Sequence, residues 1–183
     1  ALLFLSPSLA QSYFHDQYPV VWQRSAAYTM EVAEAMPEEN YNFNPTEETM
    51  SFREQLLHVI QNLSYLSGKI TDEKRNFYDG RQADEFNKEQ LKATLEKAFD
   101  HIGELIDTVS DETLQEQIEF GSEKMMKENL FYLMRDHMAH HRGQHQRTDD
   151  RATQRVVQPV HVVRHRGGLL RHPVGAEVVR GIG

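Results

Sequence analysis

Ten histidines stand among the 183 residues, and four of them fall between His137 and His145. His137 and His141 are four residues apart, so at 100° per residue both lie within about 20° of Leu130, the centre of an apolar helical stripe. Two imidazoles one turn apart and aimed inward can bind one metal ion from the same side. As plain core residues they would each bury a polar nitrogen, at roughly a few kcal/mol when unpartnered. Zinc, nickel or iron would want at least one more ligand. His58 is the candidate, although it lies about 120° from its own helix's apolar centre, on a flank with Gln55, Asn62 and Tyr65. His101, about 60° from its stripe, is the rival. His140 reads as an edge residue or one that supports a ligand from behind, His145 borders a segment of different composition, and His15 precedes the first helix as a surface residue. Gln144 and Tyr65 are candidates for orienting the ligands.

Other catalytic constellations fail. The sequence holds no His-Glu-x-x-His, no pair of Glu-x-x-His motifs, no Gly-x-Ser-x-Gly elbow, no phosphate loop and no dinucleotide fingerprint. With no cysteine there is no thiolate zinc site, iron–sulfur cluster, cysteine nucleophile or disulfide framework. Carboxylate pairs such as Glu47-Glu48 and Asp149-Asp150 read as solvated surface.

The elements that must position these histidines are helical. The first runs from about Asp16 to Met36, with Trp22, Ala26, Met30 and Ala33 as its stripe, and Pro37 stops it. The second opens on Ser51-Phe-Arg-Glu54, a capping-box pattern, and carries Phe52, Leu56, Val59, Leu63, Leu66 and Ile70 on one face to about Ile70. The third, behind an Asn87 cap, runs from about Lys88 to Val109 on Leu91, Leu95, Ala98, Ile102, Leu105 and Val109. The fourth runs from about Glu123 to Gln144 or a little beyond, on Met126, Leu130, Leu133, Met134 and Met138. No Asn-Gly hairpin signal or β-branched run supports a strand before the tail. The expected fold is all-α, a four-helix bundle with connections of about 13 to 17 residues, long enough for one to cross the bundle. Tyr18, Val21 and Tyr28 fall outside the first helix's stripe and could face a second copy in a homodimer. Asn62-Leu63-Ser64 matches a glycosylation sequon, but its mid-helix place marks it as accidental.

The two ends differ from this middle. Residues 1–10, ALLFLSPSLA, read as the remnant of a secretory signal peptide, which would place the mature chain outside the cytoplasm, secreted or periplasmic; the alternative is an apolar arm that packs on the domain of a cytoplasmic protein. Residues 11–146 form the expected domain. Up to Gln146 there are 13 basic and 25 acidic residues; from Arg147 onward seven arginines face three acids, with eight valines, five glycines and no lysine. This 147–183 tail keeps neither helical nor strand periodicity and reads as irregular, with the abrupt change of an out-of-frame extension. The net charge of −8 argues against nucleic acid as a partner. A mean hydropathy of −0.66 and the lack of a long apolar run argue against a membrane bundle.

The string Arg135-Asp136-His137-Met138-Ala139-His140-His141-Arg142-Gly143-Gln144 resembles the last-helix motif of the DinB-like (DinB/YfiT-like) family of metal-dependent four-helix proteins. Ser51-Phe-Arg-Glu-Gln-Leu-Leu-His58-Val-Ile resembles its second-helix motif, in the same order and at a similar separation. The resemblance spans roughly Tyr13 to Gln144. It implies that His58, His137 and His141 form the metal triad, with His58 rather than His101 as third ligand, in a bundle with a crossover that often dimerises. It further implies a divalent metal ion, commonly zinc or nickel, that in some relatives activates a low-molecular-weight thiol for transfer to an electrophile. After Gln144 the sequence departs from the pattern: relatives continue with apolar residues, whereas here the chain reads His145-Gln-Arg-Thr-Asp-Asp150. The expectation is metal-assisted attack by thiolate or hydroxide on a small electrophilic substrate. The alternative is a non-enzymatic, metal-stabilised or scaffold bundle.

Overall fold

The computed structural model describes residues 13–44 and 46–152, with side chains through Gln144. Four long helices carry it: α1 (Tyr13–Ala35), α2 (Phe52–Thr71), α3 (Lys88–Thr108) and, last in the chain, α5 (Lys127–Ala152). Between α3 and α5 lie a short helix α4 (Asp111–Gln115) and two strands, β1 (Gln117–Phe120) and β2 (Glu123–Met126). The signal-peptide reading of residues 1–10 lies outside the described residues, as does the tail from 153 onward; residues 147–152 continue α5, so that part of the tail is helical rather than irregular.

Local chemistry explains where α2 and α3 begin. The Ser51 hydroxyl accepts from the Glu54 N–H while the Glu54 carboxylate accepts from the Ser51 N–H at 2.7 Å, so two otherwise unpaired donors are satisfied reciprocally. Asn87 and Gln90 repeat the arrangement at the start of α3. Both starts match the sequence reading. α2 ends on Asp72, which takes the left-handed conformation at φ 57°.

The β-hairpin corrects the sequence reading, which carried the fourth helix back to Glu123. β1 and β2 pair antiparallel, with Phe120 opposite Glu123 across a two-residue turn at Gly121-Ser122. Gly121 has φ +64°, the positive value that a tight hairpin turn requires at its first central residue. Met126, expected on the helical stripe, is therefore a strand residue and 39% exposed.

α1 is also rotated from its expected phase. Its buried face is Phe14, Tyr18, Trp22, Thr29, Val32 and Ala33, with Ala26 and Met30 only partly buried. The shift follows from Tyr18, which joins the expected Trp22 in fastening α1 to its neighbours: Tyr18 donates its hydroxyl to the Phe131 carbonyl on α5, and Trp22 donates its indole N–H to the Phe99 carbonyl on α3 at 3.2 Å. Tyr18 is thus a core residue of its own chain and cannot face a second copy. Tyr28 packs against the core too, under the Arg142 guanidinium.

α1 packs against α3 and α5, and α2 packs against the same two helices. Going round the bundle the order is α1, α3, α2, α5, so α1 and α2 stand across the diagonal. The segment joining them, 36–51, is the crossover that its length led us to expect. The core between the helices is apolar and aromatic, including Phe14, Trp22, Tyr41, Phe52, Phe86, Phe99 and Phe131. Among the described residues no helix is long and apolar enough to cross a membrane.

Candidate metal centre

α2 and α5 run antiparallel, pinned at one end by Lys127. Its ammonium, 3% exposed, meets the carboxylates of Asp72 at the end of α2 and Glu116 beside β1, both at 2.8 Å. Burial works against the Lys127 charge, but the two carboxylates outweigh it and raise its pKa. From that end, fourteen residues back along α2 and ten to fourteen forward along α5 lead to the same level, at about 1.5 Å per residue. His58 stands there on α2; His137 and His141 stand there on α5.

The three rings converge through their Nε2 atoms. His137 Nε2 lies 3.2 Å from His58 Nε2 and 3.2 Å from His141 Nε2. One ligand nitrogen from each ring lies within 4.8 Å of the others, with His141 buried and the other two half-buried. An sp² ring nitrogen has a single in-plane position, a lone pair or an N–H, so His137 Nε2 cannot make two good hydrogen bonds at once. Three lone pairs aimed at a shared cation resolve that conflict. Donors about 2.0–2.1 Å from a tetrahedral zinc ion stand about 3.3–3.4 Å apart, close to the observed separations.

The electrostatics favour the neutral ligand form. Burial, followed by the charges that His58 and His140 would carry, pushes the His137 pKa down to about 4. Burial, then His137, His58 and His140, pushes His141 to about 4 as well. At neutral pH both rings keep a free lone pair, the form that binds metal. No aspartate or glutamate joins the group among the described residues, so the ligand set carries no charge.

The wheel argument placed His58 on a polar flank, and that flank is what faces α5. Eleven of the twenty α2 residues are buried, because α2 packs against both α3 and α5, so its buried surface is wider than one stripe. His101 does not join the site. Its Nε2 is buried without a hydrogen-bond partner among the described residues, its ring packs on Phe77 at 5.2 Å, and it lines a surface groove of about 610 Å³ beside Arg75 and Lys97. Tyr65 is 54% exposed and lies nearest Phe120 and Lys69, which removes it as an orienting group for the ligands. His140 is exposed and accepts a hydrogen bond from the Gln144 amide at 2.9 Å, beside the His141 ring, as expected of an edge residue. Gln144 also acts on His141, opposing the effect of burial there. His15 lies inside α1, 3.4 Å from Asp111, rather than before the helix. The side chain of His145 lies outside the described residues.

Arg142, next to His141, reaches the other way. Its guanidinium donates to the Thr29 hydroxyl at 3.0 Å and stacks over Tyr28, which ties the turn of α5 that carries His141 to α1. Sequence reading passed over this residue, although its place one step from an inward histidine puts it at the edge of the buried stripe.

Residues 11–147 match the DinB family. Among solved structures the chain is similar to a DinB-like protein, YjoA, from Bacillus subtilis, at 18% identity and a TM-score of 0.62, over 79% of this chain and 96% of that one. It is also similar to a conserved protein from Enterococcus faecalis, at 13% identity and a TM-score of 0.63, over 75% of this chain and 95% of that one. At these identities the likeness shows a shared fold. None of the curated proteins matches the chain.

Proposed function

We propose that this chain, which belongs to the DinB family, holds one divalent metal ion on His58, His137 and His141 and uses it in metal-assisted attack on a small electrophile. The observation that carries the reading is the convergence of three Nε2 atoms, with the His137 nitrogen 3.2 Å from both of the others. When bound, the ion supplies a concentrated positive charge that makes a thiol or water acidic enough to act as a nucleophile near neutral pH.

The chain's own residues supply the rest. His137 and His141, one turn apart on α5, present two donors from one rigid element, and His58 adds the third from the facing helix. Depressed imidazole pKa values keep those donors neutral, so the ion's charge is not cancelled by its ligands. His140 and Gln144 form the exposed edge of the site, where a substrate or thiol would arrive from solvent. The nucleophile is a thiolate or hydroxide, giving thiol transfer or hydrolysis, with zinc, nickel or iron as the ion.

A second reading has an observation of its own. The three ligands come from two helices, so a bound ion would also fasten α2 to α5, as in a non-enzymatic, metal-stabilised bundle. Turnover separates the two. Protein supplied with zinc or nickel should consume small epoxides or activated esters in the presence of a low-molecular-weight thiol or of water alone. That activity should vanish on chelation and in a His58→Ala variant. Turnover unaffected by chelation contradicts the catalytic reading, and metal uptake with no turnover across the panel favours the fastening role.

A further inference from the structure

The α2–α5 interface holds an unusual set of polar atoms. Among the described residues, six buried side-chain nitrogen or oxygen atoms lack a hydrogen-bond partner, and four of them lie on α2 and α5. Two are ring nitrogens on α5, His137 Nδ1 and His141 Nδ1; two are amide oxygens on α2, Gln55 Oε1 and Asn62 Oδ1. Native interiors pair nearly all such atoms, so two donors and two acceptors left over on facing helices call for a joint explanation.

The chemistry of the ligand set supplies one. With Nε2 committed to a metal ion, each ring carries its proton on Nδ1 and needs an acceptor. The antiparallel register supplies an acceptor to each. Asn62 lies one turn from His58 toward the Lys127 end, which brings it alongside His137; Gln55 lies almost a turn the other way, alongside His141. Gln55 is 3% exposed, and its amide nitrogen already donates to the Met50 carbonyl at 3.0 Å, so the oxygen is the part left to serve the site. Gln144 is the competing partner for His141: its nitrogen serves His140, while its side chain also hydrogen-bonds the His141 ring from the exposed edge of the site.

We infer that Asn62 and Gln55 are positioning residues, which accept the Nδ1–H bonds of His137 and His141 and fix the rings with Nε2 toward the ion. This rests on the three-histidine reading above. It also explains why a polar flank survives on the most buried helix: an apolar residue at 55 or 62 would pack well but would leave a ring free to turn.

Zinc affinity, measured by competition with a chromophoric chelator, tests it without reference to turnover. Asn62→Leu and Gln55→Met remove each acceptor at similar volume and should each weaken zinc binding about 10-fold or more, the usual scale for groups that orient metal ligands. Asn62→Asp and Gln55→Glu keep an oxygen in place and should bind zinc at least as tightly as the parent. Helical circular dichroism reports whether each variant folds. If an apolar variant does not fold, its carboxylate counterpart decides: tighter binding supports the role, and weaker binding overturns it. Parent-like affinity in both apolar variants, above all with a loss in Gln144→Ala, overturns the role while leaving the metal site standing. A parent that binds no zinc overturns the metal reading, and this inference with it.

Discussion

At the scale of single residues, the account turns on which histidine points where. His140 and His141 are neighbours in sequence, yet one is exposed and the other 4% exposed with its Nε2 on His137. Replacing His137 by alanine should therefore abolish metal binding, whereas His140→Ala should leave it within about threefold of the parent, since the His140 ring is exposed and its hydrogen bond goes to Gln144 rather than to one of the three converging rings. Equilibrium dialysis with zinc checks both. Protonation gives an independent handle. His137 and His141 titrate near pH 4 when folded, against an ordinary value of 6.5, chiefly because burial disfavours the charged ring. Between those values the unfolded chain binds more protons than the folded one, so stability contributed by these groups is full above pH 6.5 and is lost as pH falls toward 4. The urea midpoint of chelated protein should fall across that window, and fall less in a His137→Gln variant. An equal fall in both would show that the His137 ring does not contribute.

At the scale of elements, the helix starts were legible in sequence because capping is local. Ser51, Glu54, Asn87 and Gln90 sit three residues apart in pairs, and nothing beyond the turn is needed to read them. Ser51→Ala should cost about 1 kcal/mol, lowering the urea midpoint with an unchanged m-value; no loss would mean that the cap contributes nothing net. The phase of α1 was only partly legible: Trp22 was on the expected stripe, but the burial of Tyr18 depends on its reaching a carbonyl on another helix. The flank carrying His58 was misjudged for a related reason: a wheel with one apolar centre cannot represent a helix packed against two partners. The hairpin had a signal that went unread. Gly121-Ser122 is a two-residue turn with glycine at its first position, as informative there as Asn-Gly would be.

At the scale of the whole molecule, the crossover puts α2 beside α5, the two helices that carry His58, His137 and His141. α1 and α3 close the other sides of the core, and the Arg142 and Tyr18 contacts fasten α1 to α5. The order of helices round the bundle was legible only as a possibility, through the length of segment 36–51. Sequence spacing alone brought out His137 and His141, because one helix holds both. The third ligand came from resemblance, and the structure brings that residue, rather than His101, to the other two.

The central claim is that His58, His137 and His141 hold one ion together. Metal content per chain, measured by mass spectrometry on the purified parent and on a His58→Ala variant, tests it most directly. The account predicts close to one zinc, nickel or iron ion per parent chain and almost none in the variant. A parent that takes up no ion after zinc and nickel are supplied, or a variant that keeps the parent's full content, would contradict it.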